Sequence, residues 1–153
     1  MRTRPILLVE DNEDDVSLTL RAFQQSHIAN PVVIVGDGLA AIEYLDNCVR
    51  DPAAPTPPAV VLLDLKLPKI DGLDVLRHIR ADPRQRRQPV VVLTSSKEEQ
   101  DIMMSYDIGA NSYIRKPVDF ERFCEAMRQL GLYWLVLNEP PPTRPRMGDA
   151  PPA

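Results

Sequence analysis

The sequence predicts an α/β domain in which five parallel strands form a doubly wound sheet with five helices on its two faces. Five short runs of Val, Ile and Leu, each followed by turn residues, indicate strands that are buried on both sides. Helical periodicity between successive runs indicates crossover connections, which cover both faces of a parallel sheet. A length of 153 residues with 44% hydrophobic content is enough for one domain and scarcely for two.

Composition and charge limit the kinds of partner and the cellular location that we expect. The formal net charge of -4 argues against general binding to nucleic acids or anionic membranes. Cys48 and Cys124 stand apart from each other, which indicates neither a disulfide framework nor a zinc site. The amino terminus lacks the apolar core of a secretory signal, and no run approaches the ~20 apolar residues of a membrane span. We therefore expect a cytoplasmic protein that binds another protein or a metal-held anion.

The first strand is predicted at residues 5–9. Asn12 can cap the first helix, and the apolar spacing predicts an inward face of Val16, Leu20 and Phe23. Leu18 and Ala22 fall outside that stripe, so we expect part of this apolar surface to be available to a partner.

The middle of the chain continues the alternation. A second strand at 31–35 leads into a helix whose predicted inward residues are Leu39, Ile42 and Leu45. Residues 50–58 contain four prolines and are predicted to be a surface connector. The buried strand 60–63 ends at Asp64, and the pair Asp71-Gly72 opens a helix with Leu73, Leu76 and Ile79 on one face.

The last third of the domain is predicted to contain two more pairs of a strand and a helix. A strand at 89–93 is followed by a helix that Ser96 can cap and that Gly109 ends. A strand at 112–115 precedes the final helix, which begins near Asp119 and whose predicted inward stripe is Phe120, Phe123, Met127 and Leu130.

Polar side chains follow four of the predicted strands: Glu10 and Asp11, Asp64, Thr94, and Lys116. Because the carboxyl ends of parallel strands meet at one edge of the sheet, we expect these side chains to lie together. Crowded carboxylates repel each other, and Mg²⁺ or Mn²⁺ would relieve that repulsion. A helix cap or a solvated strand-end carboxylate is the alternative interpretation of Asp64.

The predicted chemistry is phosphoryl transfer to a carboxylate. Lys116 and Thr94 suit a phosphoryl group as point charge and hydroxyl donor. Asp64 needs no general base, since an aspartate is already ionised at neutral pH. No second aspartate, histidine or glutamine is placed to activate water, so the acyl phosphate should persist. That property suits a switch better than a turnover enzyme, and we predict that the protein is not an enzyme.

These motifs resemble those of response-regulator receiver domains of two-component signalling. The acid pair follows ILLV, Asp64 lies in LLDLKLPKIDG, Thr94 follows VVVL, and Lys116 lies in YIRKP. The match covers residues 5 to about 130 with its spacings kept. The resemblance implies a flavodoxin-like sheet with strand order 2-1-3-4-5 and a sensor histidine kinase as phosphoryl donor. Since no output domain follows, it also implies signalling by protein-protein interaction.

The resemblance also assigns roles at the metal site. It implies that Asp64 is the phosphoacceptor and that Asp11 and Asp64 bind Mg²⁺ directly. The backbone carbonyl of Lys66 completes the protein ligands, and Glu10 acts through water. The Lys66 side chain occupies a position that influences attack by water, which leaves the lifetime of the phosphate open.

Three further residues acquire roles in switching by the same resemblance. Lys116 is expected to contact the phosphate, and Thr94 to donate a hydrogen bond to it and pull its loop inward. Tyr113 is expected to turn inward when Thr94 moves.

The proline-rich loop and the extended final helix resemble the corresponding segments of the single-domain response regulators that pair with bacterial phytochromes. This narrower resemblance implies a bacteriophytochrome histidine kinase as partner. We predict a receiver domain with an extended last helix at 1–137 and a disordered proline-rich tail at 138–153. Residues 130–137, at the end of the last helix, are apolar on every side, which predicts a homodimer through Tyr133, Trp134 and Leu137. The alternative is that this segment folds back on its own domain.

A second interpretation is a phosphohydrolase of the haloacid dehalogenase type, which also uses an aspartate nucleophile, Mg²⁺, a lysine and a hydroxyl. That class requires a second acid two residues after the nucleophile, where this chain has Lys66. Its nucleophile follows the first strand, whereas Asp64 follows the third. Both differences favour the receiver.

Overall fold

The computed structural model describes residues 4–51, 53, 56–94, 99–115 and 120–130, with backbone alone at 94, 99, 100, 115 and 130. Five strands and five helices alternate along this part of the chain: β1 Ile6–Val9, α1 Glu13–Gln25, β2 Val32–Val35, α2 Gly38–Arg50, β3 Val60–Leu63, α3 Gly72–Ala81, β4 Val90–Thr94, α4 Glu99–Ile108, β5 Ser112–Arg115 and α5 Phe120–Leu130. All strand pairs are parallel, and the order β2-β1-β3-β4-β5 confirms the predicted fold.

The sheet separates two apolar clusters. Alternate residues of β1 and β3 point to opposite faces, so Leu7 and Leu63 join the cluster beneath α2 and α3, and Leu8 and Leu62 join the cluster beneath α1 and α5. Every residue of these two strands is at most 2% exposed. These two interior strands are therefore a fully buried platform for the groups that follow them.

Side-chain caps start the first three helices. The Asn12 side chain accepts from Asp15 N–H at 3.1 Å, which confirms the predicted start of α1. Asp37 and Asp71 cap α2 and α3 in the same way. Gly109 ends α4 with a φ of 122°, in the region that favours glycine.

The predicted inward faces of α1 and α2 are wrong in part. Leu20 is 37% exposed and Leu39 is 40% exposed, whereas Ala22 is fully buried and Leu18 packs against the cluster beneath α1. The reason is that α1 packs against α5 as well as the sheet, which rotates its buried face toward Thr19 and Ala22. Ala22 is therefore not available to a partner, and Leu18 is only partly exposed.

Several predictions fall outside the described residues. These are the caps at Ser96 and Asp119, the extension of the last helix beyond residue 130 and the tail at 138–153. No helix in the described ranges is long and apolar enough to cross a membrane.

Candidate functional site

Strand register places two acids side by side at the carboxyl edge of the sheet. Val9 of β1 pairs with Leu63 of β3, so the residues that follow, Glu10 and Asp64, emerge together. The Asp64 N–H donates to the Val9 carbonyl at 3.1 Å, and the Glu10 N–H donates to the Val35 carbonyl at 3.0 Å. Backbone hydrogen bonds between strands therefore hold both acids at this edge.

The carboxylates of Glu10, Asp11 and Asp64 converge. One oxygen from each of the three lies within 4.8 Å of the others. Glu10 is 4% exposed and Asp64 is 9% exposed, whereas Asp11 is open to solvent. Like charges at this separation repel each other. The predicted meeting of these acids is confirmed.

The donor set fits a hard divalent cation. Three carboxylates supply the oxygen ligands that Mg²⁺ and Mn²⁺ prefer, and the exposed side at Asp11 leaves room for the waters that Mg²⁺ retains. The Lys66 amide nitrogen lies 3.4 Å from Asp64 Oδ1, so the backbone folds back toward the carboxylate just after β3. The Lys66 side chain is exposed.

Gly72 allows the chain to pass close behind Asp64. A Cβ atom at this position would lie 2.2 Å from the Asp64 carbonyl oxygen and 2.6 Å from Leu65 Cα. The Gly72 N–H donates to the Leu65 carbonyl at 2.8 Å. Sequence reasoning treated Gly72 only as the start of α3, because the Asp71-Gly72 pair fits a helix start equally well. The structure adds a site-shaping role that the local pattern does not reveal.

The remaining predicted site residues lie at the neighbouring strands. Thr94 ends β4 and pairs in register with Arg115 of β5, the residue before Lys116. The Thr94 side chain and all of Lys116 lie outside what the structure describes, so their predicted contacts stay predictions. Tyr113 is half-buried and packs against the cluster beneath α2 and α3. The predicted interface residues Tyr133, Trp134 and Leu137 also lie outside the described ranges.

Comparison with known proteins is consistent across sequence and structure. Residues 6–128 match the family model of the response regulator receiver domain. The chain is 40% identical over 136 residues to the probable methanogenesis regulatory protein FilR2 of Methanothrix harundinacea, covering 89% of this chain and 86% of FilR2. It is 38% identical over 130 residues to the response regulator Rcp1 of Synechocystis sp., covering 85% and 88% of the two chains.

Solved structures of similar proteins share the fold over nearly their whole length. The Mn²⁺-bound form of Rcp1 has a TM-score of 0.80 at 36% identity and covers 91% of this chain and 99% of its own. The phosphorylated cyanobacterial phytochrome response regulator RcpA has a TM-score of 0.82 at 38% identity, with coverages of 92% and 100%. The bacteriophytochrome response regulator AtBRR has a TM-score of 0.70 at 49% identity, with coverages of 91% and 100%.

These matches decide between the two interpretations of the aspartate site. They support the receiver and give no support to a haloacid-dehalogenase-type phosphohydrolase. The chain belongs to the response regulator receiver family of signalling proteins and is homologous to the single-domain response regulators of phytochromes.

Proposed function

We propose that this response regulator is a phosphorylation switch in which Asp64 accepts the phosphoryl group from a sensor histidine kinase. The observation that carries the proposal is the convergence of Glu10, Asp11 and Asp64 at the carboxyl edge of the sheet. Membership of the receiver family, whose model matches residues 6–128 and so includes Asp64, supports the same assignment.

Asp64 supplies the nucleophile. Its carboxylate oxygen attacks the phosphorus of the kinase phosphohistidine, and the bond between phosphorus and nitrogen breaks. The imidazole nitrogen keeps the electron pair and takes a proton from solvent, while Asp64 becomes an acyl phosphate. No general base is needed, because a carboxylate oxygen attacks without giving up a proton.

Glu10, Asp11, Asp64 and the backbone carbonyl of Lys66 would hold a Mg²⁺ ion. When bound, the ion offsets the charge of the carboxylates and the charge that develops on the phosphoryl oxygens. The donor set and the exposed side at Asp11 support this assignment. The Mn²⁺-bound form of the relative Rcp1 supports it further.

We further propose that Lys116 and Thr94 bind the phosphoryl oxygens and that Tyr113 responds to movement of Thr94. Support comes from strand register, since Thr94 is paired with the residue that precedes Lys116. The half-buried position of Tyr113, beside the cluster beneath α2 and α3, leaves it able to pack further inward.

The proposed donor is a bacteriophytochrome histidine kinase, and the proposed output is an interaction with another protein. The relatives RcpA and AtBRR, which are response regulators of phytochromes, support this pairing. We also propose a homodimer built on Tyr133, Trp134 and Leu137, and no turnover activity beyond loss of the protein's own phosphate.

The phosphoacceptor is tested by incubating the protein with acetyl phosphate and Mg²⁺ and measuring its intact mass. The wild type should gain one phosphoryl group, and it should gain none when the metal is chelated. Asp64→Asn should remain unlabelled. Asp71→Asn is the matched control, because Asp71 is an exposed helix cap outside the cluster and asparagine caps equally well. Labelling of Asp64→Asn at the wild-type level would overturn the assignment.

The dimer is tested by removing residues 131–153. The truncated chain should still be labelled, while its mass in solution should fall toward that of a monomer. A dimer mass that survives truncation would contradict the proposed interface.

A further inference from the structure

The loop that follows Asp64 packs against the amino end of α2, backbone against backbone. The Gly38 N–H donates to the Pro68 carbonyl at 3.3 Å. A Cβ atom on Gly38 would lie 2.0 Å from the Ile70 carbonyl oxygen and 2.9 Å from Ile70 Cβ. No side chain fits between these two segments, so α2 and the loop at 65–71 meet at the closest approach that a backbone allows.

A second contact joins the same two segments. Asp37 caps α2 by accepting from the Ala40 N–H at 2.7 Å, and its other oxygen lies 3.6 Å from Lys69 Nζ. Lys69 has a φ of 67°, in the left-handed region that residues other than glycine rarely adopt. The tip of the loop thus holds an uncommon backbone conformation where α2 touches it.

Lys66 lies between these contacts and the base of the loop. At the base, the Gly72 N–H donates to the Leu65 carbonyl, and Leu65 is 3% exposed. Leu67 and Ile70 pack against the cluster beneath α2 and α3. The backbone of Lys66 is therefore held at one end by β3 and Gly72 and at the other by α2.

We infer that the start of α2, Asp37 and Gly38, is a positioning element for the metal site. It holds the loop at 65–71 so that the Lys66 carbonyl stays in place for the cation. The inference rests on the proposed role of that carbonyl as a ligand. Asp37 and Gly38 act through the loop and are neither ligands nor phosphate contacts.

Mg²⁺ makes this arrangement sensitive to small shifts. It requires nearly ideal octahedral geometry, whereas Ca²⁺ accepts variable geometry and longer bonds. Displacement of one carbonyl by a few tenths of an ångström therefore weakens Mg²⁺ binding more than Ca²⁺ binding. General destabilisation of the fold would weaken both alike.

The coupling must also run in reverse. If the contact between Gly38 and the loop strengthens metal binding, metal binding strengthens that contact by the same factor. Metal binding is thereby linked to the start of α2, a helix that contributes no proposed ligand.

Gly38→Ala and Gly36→Ala form a matched pair for the test. A Cβ atom at Gly36 meets nothing within 4 Å, whereas at Gly38 it collides with the loop. Calorimetric titration should show Mg²⁺ affinity reduced ~10-fold by Gly38→Ala, Ca²⁺ affinity reduced less, and neither changed by Gly36→Ala. Equal affinities for the two variants, or equal losses for the two cations, would overturn the inference.

Amide hydrogen exchange of the wild type gives a measurement that does not depend on how well a variant folds. Saturating Mg²⁺ should slow exchange of the Gly38 amide. The Ala59 amide, which donates to the Pro5 carbonyl at the opposite edge, should be unaffected. Unchanged exchange at Gly38 would refute the coupling.

Asp11→Asn separates the two levels of the proposal. If this variant binds Mg²⁺ as tightly as the wild type, the proposed metal site is wrong. If it loses Mg²⁺ while Gly38→Ala matches Gly36→Ala, the metal site stands and only the positioning role is wrong.

Discussion

Two clusters of acidic residues lie toward opposite edges of the sheet and differ in how their members are arranged. At the carboxyl edge, Glu10, Asp11 and Asp64 bring their oxygens within 4.8 Å of one another. Toward the amino edge, Asp46 and Asp82 share the amide of Gln85, at 2.5 and 3.0 Å. This second pair also has basic neighbours, since His78 Nε2 lies 2.8 Å from Asp46 and Arg84 donates to Asp82 at 3.1 Å.

The difference separates a structural cluster from a binding site. Carboxylates that receive donors from nearby side chains tie segments of the fold together. Three carboxylates that converge on one point are typical of a divalent-cation site. Replacing an aspartate by asparagine should therefore lower Mg²⁺ affinity at the carboxyl edge and lower the stability of the fold at the amino edge.

The largest expected effect is the loss of the metal site on changing Asp11 to Asn. Removing one ligand should reduce Mg²⁺ affinity by ~100-fold or more and slow labelling by acetyl phosphate in proportion. Asp82→Asn, the matched change at the amino edge, should leave Mg²⁺ affinity unchanged. Calorimetric titration with Mg²⁺ measures the affinity of both variants. Equal affinities would contradict the assignment of the metal site to the carboxyl edge.

The second effect is structural and confined to the amino edge. Asp46→Ala deprives both His78 and the buried amide of Gln85 of an acceptor, which should lower the free energy of unfolding by ~1–2 kcal/mol. Urea denaturation measures this loss, while labelling of Asp64 at saturating Mg²⁺ should persist. If Asp46→Ala abolished labelling in protein that remained folded, the two clusters would not be independent.

The smallest effect is the pH dependence of the amino-edge pair. The side-chain hydrogen bond from Arg84 is the main cause that lowers the pKa of Asp82 below its usual 3.8. The stabilisation is therefore complete at neutral pH and is lost as the pH falls below that value through the folded-state pKa. Asp82→Asn should be less stable than the wild type at neutral pH, and the gap should close as the pH falls through the folded-state pKa. A stability difference that persists in acid would show that packing, and not the charge of Asp82, causes it.

The sequence predicted the carboxyl-edge cluster because its members follow strands, and the ends of parallel strands share an edge. It did not predict the amino-edge network, since Asp46 meets partners 32 and 39 residues away that no periodic pattern joins to it. The exposure of Leu20 likewise follows from packing of α1 on α5, a contact between distant segments. The close approach at Gly38 is hidden for the same reason, because a glycine after Asp37 fits an ordinary turn.

The most direct test of the central claim is to locate the phosphoryl group. The protein is labelled with acetyl phosphate and Mg²⁺, reduced with borohydride to convert the acyl phosphate into a stable alcohol, and mapped by peptide mass spectrometry. We expect a modified Asp64 that is absent when the metal is chelated. Modification of Asp11 or another residue instead, or modification of Asp64 that persists without a divalent cation, would contradict a metal-dependent phosphoacceptor at this edge of the sheet.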